Sequence, residues 1–251
     1  MIKIKTRTLS PTAINTYLSC PRKFYLRYIK RLKTRPSIYL LRGLIVHQVL
    51  HLFNKNHPRK LTNTTLEQVH EELLTIFNVK WKNAENGLNS LGLSEEKIND
   101  FHHESELMLL NFGRWVYLNG SSTADLAEAR MRSDRLGVMG IIDAVHIMKD
   151  KVVLVDYKTS RSEDITDDTT RQAAIYALLY QENFNKVPDE VWIHFLKFPN
   201  NPQSIHIDEN ILTYGKIIIE SIHDKTTSMD ENNYPCTCGG YCKRDFIRGQ
   251  A

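Results

Sequence analysis

The sequence predicts a mixed α/β fold with a helical N-terminal half and a sheet-forming second half. Three observations carry this. Up to about residue 118 the apolar residues recur at helical spacing, in stretches 11–30, 40–55, 65–83 and 94–118, separated by polar segments with Asn, Pro or Gly. From Asp125 the pattern switches to short runs rich in Val and Ile, at 126–132, 136–148, 151–158 and 191–198. One further helical stretch, Thr170 to Phe184, falls between the third and fourth of these runs. A chain of 251 residues with 41% hydrophobic content can bury one large core, so a single domain is expected. It divides into a basic helical lobe (1–124), a core (125–200) and a C-terminal helix with a cysteine segment (201–251).

The elements follow in order. Ser10 is placed to cap the first helix, with Pro11 at its first position, where the missing N–H costs nothing. That helix is expected to run unbroken through Cys20 to about residue 30. In the second helix Gly43, His47 and His51 stand at intervals of one turn. The runs 136–148 and 151–158 are divided by the polar pair Lys149-Asp150 and read as a hairpin. The Thr170 helix takes Asp168 or Thr169 as its cap and carries Gln172 and Tyr176 four apart on one face. His194 and His206 fall in late strands and are read as structural. A last helix, about 209–222, leads to Cys236, Cys238 and Cys242.

The hairpin holds the most chemistry. A turn at Lys149-Asp150 sets Asp143 directly across from Asp156, with Cβ atoms roughly 5 Å apart, and period-2 alternation adds Lys158 to their face. Ile141, Val152 and Leu154 would share that face, with Ile142, Val153 and Val155 on the other, so both faces look buried. Two buried carboxylates repel unless a cation lies between them. Two carboxylates and a lysine around a Mg²⁺-sized position suit phosphodiester hydrolysis: the metal activates water and Lys158 stabilises charge on the phosphate.

Charge is distributed unevenly. The first acidic residue is Glu67, and residues 1–66 carry 14 of the 33 Lys and Arg. Arg22, Lys23, Arg27, Lys30 and Arg31 interleave with Phe24, Tyr25 and Tyr28, as expected of a lobe that binds DNA as a polyanion. The first residues have no apolar run of the secretory kind, and no stretch reaches the roughly 18 apolar residues of a membrane span, so a cytoplasmic location is expected. In that setting four clustered cysteines (Cys20, Cys236, Cys238, Cys242) point to a metal rather than disulfides, and thiolate chemistry alone leaves zinc and iron–sulfur both open.

Asp143 followed by Asp156-Tyr157-Lys158 resembles the PD-(D/E)XK nuclease superfamily and its αβββαβ core. The Gly43-x-x-x-His47 helix, the Gln172-x-x-x-Tyr176 helix, and Glu128 opening the first strand are similar to its RecB-like branch. Ser10 followed by Cys20-Pro-x-x-Phe24, with three C-terminal cysteines, resembles the iron–sulfur members: the CRISPR-associated Cas-four exonucleases and AddB-type helicase–nucleases. The resemblance implies Mg²⁺ or Mn²⁺ held by His47, Asp143, Asp156 and the Tyr157 carbonyl. It further implies Lys158 on the attacking water, Gln172 and Tyr176 steadying the lysine and phosphate, and Glu128 as an outer ligand or a solvated charge. A 4Fe–4S cluster would join the N-terminal helix to a C-terminal cysteine knot. Implied activity is single-stranded DNA or DNA-end cleavage, as an exonuclease with possible endonuclease action, beside CRISPR integrases or helicases. The alternative is a DNA-end-binding or adaptor subunit with little catalysis. This chain departs from the pattern at Cys236-x-Cys238-x-x-x-Cys242, where the family has Cys-x-x-Cys and then a longer gap, leaving cluster type open with Zn²⁺ as the alternative.

Overall fold

The computed structural model describes residues 7–57, 61, 63–119 and 124–246; residues 1–6, the start of the stretch read for secretion, lie outside these. The helical half comprises α1 (Pro11–Ser19), α2 (Pro21–Phe24), α3 (Ile38–Asn56), α4 (Leu66–Asn83), a short α5 (Glu85–Asn89) and α6 (Glu95–Leu118). The second half is β1 (Leu126–Ser133), β2 (Val138–Ile147), β3 (Val152–Lys158), α7 (Asp167–Phe184), β4 (Glu190–Phe195), β5 (Gln203–His206) and α8 (Glu209–Lys225). Among the described residues no helix is long and apolar enough to cross a membrane.

The five strands form one sheet in chain order, antiparallel except where β4 runs parallel to β3 after the α7 crossover. β3 is central and buried on both sides. Val152 and Leu154 join the core beneath α1, α7 and α8, while Val153, Val155 and Tyr157 join the core beneath α3, α4 and α6. Its unbroken apolar run is what a strand sandwiched between helical layers requires. The hairpin register pairs Ala144 with Val155 and Ile147 with Val152, which sets the turn at Lys149-Asp150 as the sequence implies.

Three details depart from expectation. The first helix does not run through Cys20. That residue is extended (φ −162°, ψ 111°), because Pro21 pushes the preceding residue out of the helical region, and a π-helical turn, Tyr25–Ile29, follows α2. Thr166, not Asp168 or Thr169, caps α7, its side chain accepting from the Thr169 N–H. And Ile142 does not share a core with Val153 and Val155; it packs with Val152 and Leu154. Alternation slips at the Glu128–Asp143 position, where Glu128 adopts φ +48° and no ladder pair forms, although pairing on either side (Ala127 with Ala144, Ala129 with Ile142) keeps one register. Such local twists re-aim a side chain without terminating the sheet.

The chain ends are interwoven. Leu9 bridges Val138, Thr34 bridges Phe246, and Arg35 binds the Asp245 and Phe246 carbonyls through its N–H and Nε. Tyr234 is wholly buried against Tyr17, Phe24 and Tyr25. On the far side, Gly215 lets α8 approach α7: a Cβ there would lie 2.9 Å from Leu178 Cδ1 and 3.1 Å from Ala174 Cβ. Leu178 can yield but the Ala174 methyl cannot, so overpacking should outweigh the helix-propensity gain. Gly215→Ala is expected to cost about 1 kcal/mol; an unchanged or higher urea midpoint would refute the close approach.

Candidate active site

A cleft of about 570 Å³ opens at the C-terminal end of β3, lined by His47, Asp143, Asp156, Lys158, Gln172 and Tyr176 together with Tyr39, Arg42 and Arg161. Four elements supply the core of this group. Asp156 and Lys158 come from β3, Gln172 and Tyr176 from α7, His47 from α3, and Asp143 from the slipped point of β2.

The two carboxylates are each held by two partners. Asp143 Oδ1 lies 3.0 Å from His47 Nδ1, and its Oδ2 accepts from the Tyr157 N–H at 2.8 Å. Asp156 Oδ1 accepts from Gln172 Nε2 at 2.9 Å, while Lys158 Nζ sits 2.6 Å from Asp156 Oδ2 without a well-directed hydrogen bond. Gln172 is fully used: Oε1 accepts from Lys158 Nζ at 2.8 Å and Nε2 also donates to the Tyr176 hydroxyl at 2.8 Å. Because an ammonium only donates, this pairing fixes which way round the Gln172 amide sits.

Electrostatics follow from this packing. Burial pushes the Asp156 carboxyl upward and Asp143 adds to it, while Lys158 opposes both. Burial disfavours a charged His47, but Asp143 beside it overrides that and the net shift is upward. Burial, and then the two aspartates, hold Tyr176 well above the usual phenol range, so it stays a neutral O–H. A divalent cation suits this donor set. It would offset the strain of ionising a 3%-exposed Asp156 next to Asp143, and carboxylate oxygens with one imidazole are ligands such ions accept. Lys158 occupies the charge-compensating position beside Asp156.

The other residues singled out by sequence are placed as follows. His51 Nδ1 is 3.9 Å from Glu128 Oε2, one turn along α3 from His47. His194 is buried against Trp115, and burial drives its pKa down to about 4, so it is neutral; His206 is exposed on β5. Of the basic series, Lys23 lines a second channel of about 370 Å³ that shares Thr12, Lys158 and Gln172 with the main cleft. Lys23 also pairs with Asp245 at 2.6 Å. Arg22 is committed to Glu231 and the Tyr234 carbonyl, Arg27 and Lys30 lie over Tyr28 and Tyr25, and Arg31 takes φ +57°. Sequence reasoning passed over Arg42, Arg161 and Tyr39. Arg161 lies over the Tyr39 ring (5.1 Å to its centre) and donates to its hydroxyl at 2.6 Å, a basic residue three positions beyond Lys158. Arg42 is 1% exposed, donating to Glu104 at 2.7 Å and the Thr159 carbonyl at 2.8 Å.

The four cysteines gather where the chain ends meet, none of them in a disulfide. They could hold a metal.

No curated protein matches the sequence. Eighteen chains of known structure match the fold. One is a Eubacterium rectale protein whose crystal structure is described as that of a "Putative exonuclease": 12% identity, TM-score 0.58, covering 97% of this chain and 89% of that one. At that identity the likeness shows the fold alone. Residues 8–244 match the PD-(D/E)XK nuclease superfamily, nearly the whole described chain, and the chain belongs to that superfamily.

Proposed function

We propose that the chain is a metal-dependent deoxyribonuclease of the RecB-like, Cas-four-like kind, one nuclease domain throughout, acting on single-stranded DNA or DNA ends. What carries the reading is the convergence of Asp143, Asp156, Lys158 and Gln172 on one cleft with His47 beside Asp143. His47, Asp143, Asp156 and the Tyr157 carbonyl would hold Mg²⁺ or Mn²⁺, which supplies Lewis acidity and a more acidic bound water. Lys158 would keep its ammonium at the scissile phosphate and orient the attacking water. Gln172 holds that ammonium in place, and the neutral Tyr176 hydroxyl can donate to a phosphate oxygen. Arg161 and the exposed Tyr39 stand at the cleft wall, where a cation and a ring suit phosphate and base. The shared channel past Thr12 and Lys23 extends the path along α1. The likeness to Cas-four proteins would bring a 4Fe–4S cluster to the four cysteines, though their sulfur spacing favours a smaller occupant.

The test is labelled single-stranded DNA with Mn²⁺ or Mg²⁺ and with EDTA. Degradation that needs the metal supports the reading. Binding of DNA ends with no cleavage in either metal would replace it with the adaptor role. Gln172→Ala should lower the rate on the order of 10²-fold through misplacement of Lys158, with DNA affinity little changed. A rate within twofold of wild type would remove Gln172 from the mechanism.

A further inference from the structure

The four cysteine sulfurs, one from the link between α1 and α2 and three from the C-terminal segment, all lie within 4.8 Å of one another. Cys236 Sγ is 3.7 Å from Cys238 Sγ and 3.6 Å from Cys242 Sγ. This spacing reports how many metal ions fit between them. Four thiolates on a single tetrahedral ion, with bonds of about 2.3 Å, stand about 3.8 Å apart along every edge. In a 4Fe–4S cubane each thiolate binds a different iron and its bond splays outward from the cube. An edge then spans an iron–iron separation as well as two bonds, and the sulfurs stand roughly 6 Å apart. Every sulfur pair in this site falls short of that separation.

The loop that carries the trio is built for the smaller tetrahedron. A single residue, Thr237, separates Cys236 from Cys238, and Gly239 and Gly240 take φ +61° and +86° to turn the chain back so that Cys242 returns to the pair. Those angles suit glycine and strain other residues. The turn aims two main-chain donors at sulfur: the Gly240 N–H at Cys236 Sγ (3.3 Å) and the Cys242 N–H at Cys238 Sγ (3.1 Å).

We infer that Cys20, Cys236, Cys238 and Cys242 bind one Zn²⁺ in a closed tetrahedral S₄ site in place of an iron–sulfur cluster. All four positions are filled by thiolate with none open to substrate, the arrangement of structural zinc. The ion ties the break after α1 to the C-terminal segment, so its binding is part of the folding free energy. The inference does not depend on whether the cleft cuts DNA.

The experiment measures zinc, iron and acid-labile sulfide per chain in full-length protein. The protein is made in iron- and cysteine-supplemented cells and purified without oxygen, so that an oxidised, replaced cluster cannot pass for native zinc. The expected result is a colourless protein with about one zinc per chain and almost no sulfide. Cys236→Ser and Cys20→Ser should each lose most of that zinc. Stoichiometric iron with sulfide and a brown colour overturns the inference, as does a single iron without sulfide, or a metal-free chain that takes up no added Zn²⁺. Because the serine variants can fail to fold, Co²⁺ exchanged into the wild-type chain gives a second reading. Intense visible bands with thiolate charge transfer, as from tetrahedral sulfur ligation, support the site, and a pale octahedral spectrum overturns it.

Discussion

Lys158→Ala is expected to lower metal-dependent DNA cleavage by about 10²–10³-fold, the usual cost of removing one donor that faces developing charge. Lys158 Nζ is gripped by the Gln172 amide and lies beside Asp156 on the cleft wall. Its loss removes an ammonium in contact with that carboxylate. The fold should tolerate the change, because Asp156, already pushed toward its protonated form by burial and by Asp143, can take up a proton when its counter-charge is gone. The melting temperature should therefore shift little while the rate collapses. DNA affinity measured in Ca²⁺ or EDTA should stay within a few-fold of wild type. Cleavage by Lys158→Ala at close to the wild-type rate would show that Lys158 is a structural counter-ion and that the chemistry lies elsewhere.

The second large effect is on stability. Arg42 lies between the Phe101 ring (4.8 Å) and the Tyr39 ring (5.7 Å), bound to Glu104 and to the carbonyl of Thr159, the residue after Lys158. Glu104 is partly exposed whereas the guanidinium is almost wholly buried, so the two deletions are unequal. Glu104→Ala leaves a buried cation with only a carbonyl and two ring faces, and about 3 kcal/mol is the expected cost. For a chain of this length that corresponds to a fall of about 6–12 °C in melting temperature. Arg42→Met keeps much of the volume and leaves Glu104 open to water and still paired with Lys197 at 3.4 Å, so it should cost less stability. It should still depress cleavage, since the Thr159 carbonyl loses its anchor beside Lys158. Equal melting temperatures for Glu104→Ala and wild type would show that the ion pair is not what holds this corner.

The legible parts of the fold were those written locally. The β2–β3 register followed from one polar pair, Lys149-Asp150, and the double burial of β3 from a run with no polar break before Asp156. α3, α4 and α6 followed from periodicity over long stretches, 40–55, 65–83 and 94–118, which the structure extends or trims only at the ends. The break at Cys20 was also written locally, in Pro21, which the reading of one helix over 11–30 did not take into account. What could not be read depends on partners distant in sequence. The slip at Glu128 and Asp143 arises between two strands and leaves no mark in either alone. The Arg42–Glu104 and Arg161–Tyr39 pairs join positions 62 and 122 residues apart. In the cleft, Asp143, Asp156, Lys158, Gln172 and Tyr176 stood at spacings a hairpin and a helix turn into proximity. The tilt of Asp143 toward His47 needed the three-dimensional arrangement.

The weaving of the chain ends has a consequence for biosynthesis. Leu9 and Arg35 find strand and carbonyl partners in Val138 and Phe246, and Phe24 completes its ring cluster with Tyr234, all far along the chain. On the ribosome the first lobe therefore waits, its basic helices made but unclamped, until the segment between Tyr234 and Phe246 has emerged. α1 supplies Thr12 to the cleft wall, so that wall is held in place only once the segment around Tyr234 has folded back onto it. Contacts of such long sequence separation make folding slow. They also keep a nascent chain from presenting a completed cleft before that segment is made.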